Sequence, residues 1–431
     1  MKTFSALSVL AALIFAIPSS VGAAVLPSGL PERQEQPQQP NMAVSAAVAD
    51  NYPDLPPNNK PLGLGISHAG DPYDIPGFSP EMITKVLQDH GGSYYRAHIP
   101  IKEAMPVISP NTYRRLLEAA DNPQELDSLI DELAKTGKWE RMDSLVDTFV
   151  SKGINLVLVV GCGYQMEAPL LAQTDGKQQK VSPKRLGRKT YLTMVKMYVG
   201  AAVRRYAAKV QVWQVENEIN TMFAHAVAGW RIKDTGWINK SYGIEMLKEL
   251  SEIVHKEGAR QGLALKTTQN FATAWIGWEK YIRDSAQYLD IIGIDLYANY
   301  FVGWPPADKQ MADCVLKAKA AGGGKPVWVL EAGFADAPAI KGFSPQAQAA
   351  YFKRLIDRCF RNGAEVVMLF GWFYNPGGWQ TNGTGKPAPW YSIYASEAHW
   401  NPTHVDPQTG EIICGPAWDE FKKSAQKWFP K

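Results

Sequence analysis

The sequence predicts an α/β protein, a single-domain (β/α)8 TIM barrel, on three observations. Short apolar runs alternate with amphipathic stretches from Lys60 onward, which is typical of successive βα units and a parallel sheet. Eight such runs occur, each followed by a helical stretch, and this is the count for a closed barrel rather than an open sheet. The 431 residues, 45% hydrophobic and 20% charged, suit one large α/β domain, which we assign to residues 60–431.

The segment before the barrel is expected to be a targeting and linker region. Residues 1–23 combine a basic start, a short apolar stretch and small residues near the end, which is the layout of a secretory signal peptide. The apolar stretch is too short to cross a bilayer. Residues 24–59 are rich in Pro, Gln and Ala and lack apolar periodicity, which predicts a flexible leader. We therefore expect a secreted or periplasmic protein with no membrane contact after signal cleavage.

The predicted strands are runs of β-branched, aliphatic and aromatic residues bounded by glycine, proline or polar clusters. The first and last of them are separated by six others at intervals that leave room for one or more helices each. In chain order they are Leu62–Ser67, Ser93–Ile99, Ile154–Gly161, Val210–Glu218, Ala264–Thr268, Ile291–Tyr297, Pro326–Glu331 and Glu365–Phe370.

The predicted helices are amphipathic stretches with recognisable start and stop signals. The first begins at Ser79-Pro80-Glu81, a capping residue followed by proline and an acid, and ends at Gly91-Gly92. A longer excursion with two helical pieces separates strands two and three. The remaining predicted helices are Thr112–Ala120, Gln124–Lys135, Trp139–Lys152, Lys189–Ala208, Tyr242–Gly258, Trp278–Tyr288, Ala307–Ala321, Ser344–Arg361 and Pro416–Trp428.

Charge and cysteine content exclude several classes of protein. The formal net charge of +3 gives no electrostatic footprint for nucleic acid or anionic lipid, so we expect a neutral substrate. The four cysteines are too few for a disulfide-built scaffold and match no zinc spacing, so no metal site is predicted. Cys314 and Cys359 fall on consecutive predicted helices, where a disulfide and two buried thiols both remain open. Since no nucleotide fingerprint or phosphate-binding loop occurs, we predict no cofactor.

Two glutamates end predicted strands four and seven. Glu218 closes the run that begins at Val210, and Glu331 closes the run that begins at Pro326. Burying a glutamate without a partner is costly. In a TIM barrel the C-terminal strand ends meet at one face, so the two acids are expected to lie close together there. Paired carboxyl groups about 5–5.5 Å apart cleave glycosidic bonds with retention, one protonating the leaving oxygen while the other captures the sugar.

On these residues the sequence resembles clan A, the retaining glycoside hydrolases built on (β/α)8 barrels. In that clan an Asn-Glu pair ends strand four and a lone glutamate ends strand seven. The resemblance implies Glu218 as acid/base, Glu331 as nucleophile and Asn217 as the residue that holds the sugar 2-hydroxyl. The string around Asn217 is closer to β-galactosidases, whereas strand two points to another family, so we assign the clan and no family within it.

Further positions match the clan. Arg96 looks like its arginine that pairs with the nucleophile, and with His98 it forms an Arg-x-His string similar to the β-xylosidase and iduronidase family. Tyr297 looks like the tyrosine that hydrogen-bonds the nucleophile. Trp372 looks like the tryptophan that forms the floor of the subsite for the cleaved sugar. For Glu216 two interpretations stay open, a sugar-binding acid and an ordinary supporting acid.

The sequence therefore predicts a secreted retaining glycoside hydrolase that acts on a neutral oligo- or polysaccharide by double displacement. A rim of aromatic residues in the predicted loop after strand eight favours a carbohydrate cleft, because aromatic faces stack on sugar rings. Three alternatives remain. They are a non-catalytic carbohydrate-binding barrel, a transglycosylase that uses the same acids, and a metal-assisted lyase or isomerase with Glu216, Glu218 and Asp295 as oxygen ligands. Linkage, exo or endo action and oligomeric state are open.

Overall fold

Eight parallel strands close into a barrel in which each strand pairs with its sequence neighbours. The ring closes because the first strand also pairs with the last, from Gly63 opposite Val366 to Ser67 opposite Phe370. The computed structural model describes residues 60–68, 78–161, 168–173, 175–221, 240–297, 308–334, 344–373, 402–406 and 408–430. The barrel strands are β1 Gly63–Ser67, β2 Tyr94–His98, β3 Asn155–Val159, β4 Val212–Gln214, β5 Lys266–Ala272, β6 Ile291–Tyr297, β7 Val327–Gly333 and β8 Ala364–Phe370. The prediction of a (β/α)8 barrel is confirmed.

Helices surround the barrel, and several begin as the sequence indicates. Three helices begin with a serine whose hydroxyl accepts a backbone N–H of the first turn; these are Ser79, Ser109 and Ser344. A proline follows each serine. Proline suits this position because it has no N–H, and the N–H of a residue there would have no partner within the helix. The helices of the described residues are α1 Pro80–Asp89, α2 Ile101–Ala104, α3 Pro110–Ala119, α4 Pro123–Thr136, α5 Glu140–Ser151, α6 Pro183–Leu186, α7 Arg188–Tyr206, α8 Lys240–Arg260, α9 Trp278–Ser285, α10 Asp308–Ala321, α11 Pro345–Arg361 and α12 Pro416–Trp428.

Shorter elements complete the description. Two 3-10 turns cover Ile219–Thr221 and Ala286–Tyr288, the second of which continues α9 to the predicted end of that helix. Short strands form two small sheets apart from the barrel. These strands are Val107–Ile108, Leu170–Ala172 and Gln178–Lys180 in one sheet, and Thr403–Val405 and Ile412–Cys414 in the other.

Two barrel strands end four residues away from their predicted limits, and the limits of the others differ from the prediction by at most two residues. β4 ends at Gln214, four residues before Glu218, so the acid lies on the loop that follows the strand. β5 continues past Thr268 to Ala272, through the polar pair Gln269-Asn270, because both of these side chains are fully buried and hydrogen-bonded. The sequence prediction ended this strand too early because Gln269 and Asn270 are polar, although both side chains are buried in the barrel.

The core has two parts. A small cluster enclosed by the strands consists of Val157, Val212, Ile291, Trp328, Leu330, Val366 and Met368. A larger apolar layer lies between the strands and the helices, and it includes Cys314 and Cys359, which are both free thiols. All described elements belong to one compact unit, Asp54–Lys431. The predicted signal peptide and leader lie outside the described residues.

None of the helices in the described ranges combines the length and apolar character that a membrane crossing requires.

Candidate active site

Glu331 is held between an arginine and a tyrosine at the C-terminal end of the barrel. Arg96 on β2 donates from Nη1 to Glu331 Oε1 at 2.8 Å, and Tyr297 at the end of β6 donates from its hydroxyl to Oε2 at 2.5 Å. A bulge in β7 directly before Glu331 aligns it with Asp295 of β6. Such bulges redirect a side chain. The structure therefore brings together three of the residues that the sequence assigned to the site.

Arg96 is nearly inaccessible, and its guanidinium makes four hydrogen bonds. Besides Glu331, it donates to Ser67 Oγ at 2.8 Å, to Gln214 Oε1 at 2.6 Å and to Asn217 Oδ1 at 2.6 Å. A buried ion pair is stable only when further hydrogen bonds satisfy its remaining donors. Strands β1, β2, β4 and β7 thus fix Arg96, and Arg96 in turn fixes the carboxylate.

Opposing influences set the protonation of Glu331. Burial raises the pKa of Glu331 to about 7; the positive charge of Arg96 opposes this rise, and the nearby Glu218 adds to it. The hydrogen bonds from Tyr297 and Arg96 also favour the charged form. The pKa of Tyr297 lies well above its ordinary value, chiefly through burial and then through the charge of Glu331. Tyr297 therefore remains a hydrogen-bond donor while Glu331 titrates near neutral pH.

Glu218 lies on the loop after β4 in a left-handed backbone conformation, with φ of 41°. Its N–H donates to Asn270 Oδ1 at 3.0 Å, and its carbonyl accepts from the N–H and the hydroxyl of Thr221 at 2.9 and 2.8 Å. The charge of Glu218 adds to the rise in the pKa values of Glu331, Tyr297 and Asp295, so its carboxyl lies within electrostatic range of all three groups. The two predicted acids thus share one site, although only Glu331 lies on a strand.

Asn217 and Glu216 take different directions on the same loop. Asn217 Oδ1 accepts from Arg96, from Asn270 Nδ2 at 2.9 Å and from Gln214 Nε2 at 3.3 Å, so its amide is fixed inside the site. Glu216 is fully buried, and its Oε1 accepts the N–H of Asn217 at 2.9 Å. These contacts favour the supporting role for Glu216 over direct sugar binding.

Gly161, two residues after the end of β3, leaves room for Glu216. A Cβ there would lie 2.5 Å from Glu216 Cα and 2.8 Å from its Oε1. His98, the last residue of β2, is buried and approaches the carbonyl of Gly161 with Nε2 at 3.2 Å. His98 therefore reaches the loop beside the site, whereas a contact of this histidine with sugar stays a prediction.

Trp372 lies two residues after the end of β8, among aromatic side chains of the last two helices. Its ring is fully buried and packs against Phe352 of α11 and against Trp418 and Phe421 of α12, with ring centroids 5.3, 4.7 and 5.7 Å apart. The indole therefore lies in the apolar layer that also contains these aromatic residues. The assignment of Trp372 as a sugar platform stays a prediction, and the aromatic loop beyond Phe373 lies outside the described residues.

Sequence reasoning missed several polar residues that support the site. Ser67 and Gln214 accept hydrogen bonds from Arg96. Asn270 of β5 accepts the N–H of Glu218, and Asn220 joins the loop that carries Glu218 to the backbone of Ala272 on β5. One signal was present, because polar amides inside otherwise apolar strands are costly unless they have buried partners. Within the described ranges, no three His, Cys, Asp or Glu side chains are grouped as metal ligands would be.

Comparisons with known proteins place the chain among solved barrels. No protein-family model matches it, and no curated protein does. Fpglu1 from Fervidobacterium pennivoraus superposes with a TM-score of 0.57 at 13% identity, covering 85% of this chain and 95% of that one. A β-glucosidase from Pyrococcus furiosus superposes with a TM-score of 0.55 at 13% sequence identity, covering 88% of this chain and 96% of that one. A β-glycosidase from Thermosphaera aggregans superposes with a TM-score of 0.55 at 10% sequence identity, covering 80% of this chain and 84% of that one. At such identities the likeness shows that this chain has the fold of these proteins.

Proposed function

We propose that this protein is a retaining glycoside hydrolase that cleaves β-glycosidic bonds in a neutral oligo- or polysaccharide. One observation carries the proposal: the Glu331 carboxylate is held by Arg96 and Tyr297 at the mouth of the barrel, with Glu218 close enough to affect its charge. Solved structures of the same fold include a β-glucosidase and a β-glycosidase, which supports β-glycosides as the substrate class.

The proposed reaction has two displacements at the anomeric carbon. Glu331 attacks this carbon and forms a covalent ester while the bond to the leaving oxygen breaks, and Glu218 gives that oxygen its proton. Glu218 then takes a proton from water, whose oxygen attacks the same carbon and releases Glu331. Arg96 and Tyr297 hold Glu331 in its attacking geometry, and Asn217 is proposed to contact the sugar 2-hydroxyl. A sugar hydroxyl in place of water would give transglycosylation from the same intermediate.

Variants of the two acids test these roles. Glu331→Gln should abolish turnover of every substrate, because no ester can form. Glu218→Ala should lower kcat/KM by about 10²–10⁴ on substrates whose leaving group needs a proton, and should largely spare 2,4-dinitrophenyl glycosides. Azide should restore part of the Glu218→Ala rate and yield a glycosyl azide of retained configuration. Equal losses on both substrate types, without azide rescue, would contradict the assignment; sugar binding without turnover by the native protein would favour a carbohydrate-binding barrel.

Secretion is also proposed, on the composition of residues 1–23. Expression of the full chain, including residues 1–23, should release a mature protein that begins near residue 24. N-terminal sequencing of the exported protein checks this, and an uncleaved chain would refute it.

A further inference from the structure

The loop that carries Glu218 is attached to the end of β5 by two asparagine side chains. Asn270 accepts the N–H of Glu218 at 3.0 Å. Asn220 donates to the carbonyl of Ala272 at 3.0 Å and accepts the N–H of Ala272 at 3.1 Å. Since β4 ends at Gln214, these side-chain bonds replace the strand pairing that would otherwise hold the loop. The backbone of Glu218 is therefore positioned from β5.

The backbone of Glu218 needs such support. Among the described residues it is the one non-glycine residue with positive φ. The left-handed region is unfavourable for an L-residue, because its Cβ comes too close to the following carbonyl oxygen. Such a conformation persists where surrounding bonds over-determine it. Here Asn270 binds the N–H of Glu218, and Thr221 binds its carbonyl.

The amide of Asn270 can satisfy its neighbours in one orientation. Its Oδ1 also accepts from Gln214 Nε2 at 2.6 Å, while its Nδ2 donates to Asn217 Oδ1 at 2.9 Å and to Asp295 Oδ2 at 2.6 Å. Rotating the amide by 180° would place its oxygen against two acceptor oxygens and its NH2 group against three donors, the third being Gln269 Nε2. Asp295 and Asn217 thereby hold the acceptor of Asn270 toward Glu218.

We propose that Asn270 is a positioning residue for proton transfer, which holds the Glu218 peptide in its left-handed conformation and so directs the Glu218 carboxyl to the leaving-group oxygen. The proposal rests on the proposed glycosidase function. Asn270 is proposed to act on the acid/base Glu218 and not on the nucleophile Glu331. Among the described residues, Asn270 has hydrogen bonds to the loop after β4 and none to Glu331.

The leaving group distinguishes this role from general structural support. In Asn270→Ala, kcat/KM on an aryl glycoside with a poor leaving group should fall by about 10- to 100-fold, because a misplaced acid protonates less effectively. On the 2,4-dinitrophenyl glycoside the same variant should lose less than about threefold, since that group leaves without a proton.

Thr268→Val is the matched control. Thr268 lies two residues earlier on β5, is fully buried, and its hydroxyl has no hydrogen bond among the described residues, so this variant should retain native rates on both substrates. Asn270→Ser serves as a second variant, and thermal unfolding of each verifies the fold. Equal losses on both substrates, or no loss on either, would overturn the proposal, as would failure of both variants to fold. A native protein without glycosidase activity would instead refute the proposed function.

Discussion

At the scale of single residues, the protonation of Glu331 depends on a balance between burial and its two donors. Burial favours the neutral acid, while the charge of Arg96 and the hydroxyl of Tyr297 favour the carboxylate that must attack the sugar. With the pKa of Glu331 at about 7, the ionised fraction changes steeply across neutral pH. Burial and then the charge of Glu331 likewise raise the pKa of the neighbouring Asp295 well above its ordinary value.

Arg96→Met tests this balance through the pH profile. Loss of the positive charge removes an influence that lowers the pKa of Glu331, so the pKa rises above about 7 and the acid limb of kcat/KM moves to higher pH. We expect the maximal rate to fall by at least about 10²-fold, since the carboxylate also loses its orientation. Arg96→Lys, which keeps the charge, should move the limb less. Full activity with an unmoved acid limb would contradict the role of Arg96.

Whether the sequence could predict that a side chain reaches the site depends on whether its residue lies on a strand or beyond one. Arg96, Tyr297 and Glu331 lie on strands, whose alternation determines the direction of a side chain, and all three reach the site. Trp372 and Glu216 lie just beyond strands, where the next turn of the chain sets the direction. That turn depends on tertiary packing, which the sequence alone does not display.

At the scale of secondary-structure elements, helices α4, α7 and α8 are joined on the outside of the barrel by a charge cluster. Arg204 of α7 donates to Glu257 of α8 at 2.6 Å and also bonds Asp127 of α4, which Arg260 of α8 binds in turn. The hydrogen bond from Arg260 and the contacts of Arg204 lower the pKa of Asp127 to about 2. The stabilisation from Asp127 is therefore complete above its ordinary pKa and declines as pH falls toward about 2.

Glu257→Ala should weaken this cluster and lower the free energy of unfolding. Glu257 is fully buried, and its removal leaves the mostly buried Arg204 without its main partner, a change that costs about 3 kcal/mol in comparable pairs. Glu252→Ala on the same helix is the control, because Glu252 is exposed and its pair with Lys248 spans 3.9 Å; there we expect a change within about 0.5 kcal/mol. Urea unfolding at neutral pH measures both. Equal changes in the free energy of unfolding for the two variants would show that the buried cluster stabilises the fold no more than an exposed ion pair does.

At the scale of the whole molecule, the last helix completes the layer outside β8. Trp418 of α12 is fully buried, donates to Thr403 Oγ1 at 2.7 Å, and packs against Trp372 with ring centroids 4.7 Å apart. Farther along α12, Trp428 packs against Phe360 of α11. The C-terminal helix is therefore part of the barrel domain, as the sequence predicted from its amphipathic pattern.

Trp418→Ala should strongly destabilise the fold. The change removes a large side chain from a packed aromatic layer and leaves a cavity, which costs about 3–5 kcal/mol in other cores. Leu117→Ala provides the comparison, because this leucine is 47% exposed and should change stability by less than about 0.5 kcal/mol. Thermal and urea unfolding distinguish the two. A similarly small effect at Trp418 would mean that the layer repacks around the gap.

The architecture itself was predictable because strand count and order depend on patterns that persist over many residues. All eight strands lie where apolar runs indicate them, and the errors concern where β4 and β5 end. Those ends lie in a network of buried polar side chains, in which Gln214 bonds Asn270 and Asn270 accepts the backbone N–H of Glu218. Local sequence patterns identify a buried strand by its apolar residues, so a buried polar network conceals its limits.

Closure of the barrel through β1 and β8 has a consequence for synthesis of the chain. Gly63 pairs with Val366, which follows 303 positions later (366 minus 63). A ribosome adding about 5–20 residues per second needs about 15–60 s between these two residues, and during that interval one edge of β1 has no native partner. Unpaired edges attract other strands. Slow-growth or chaperone-rich expression should therefore raise the soluble yield of this protein more than it alters the stability of the finished barrel.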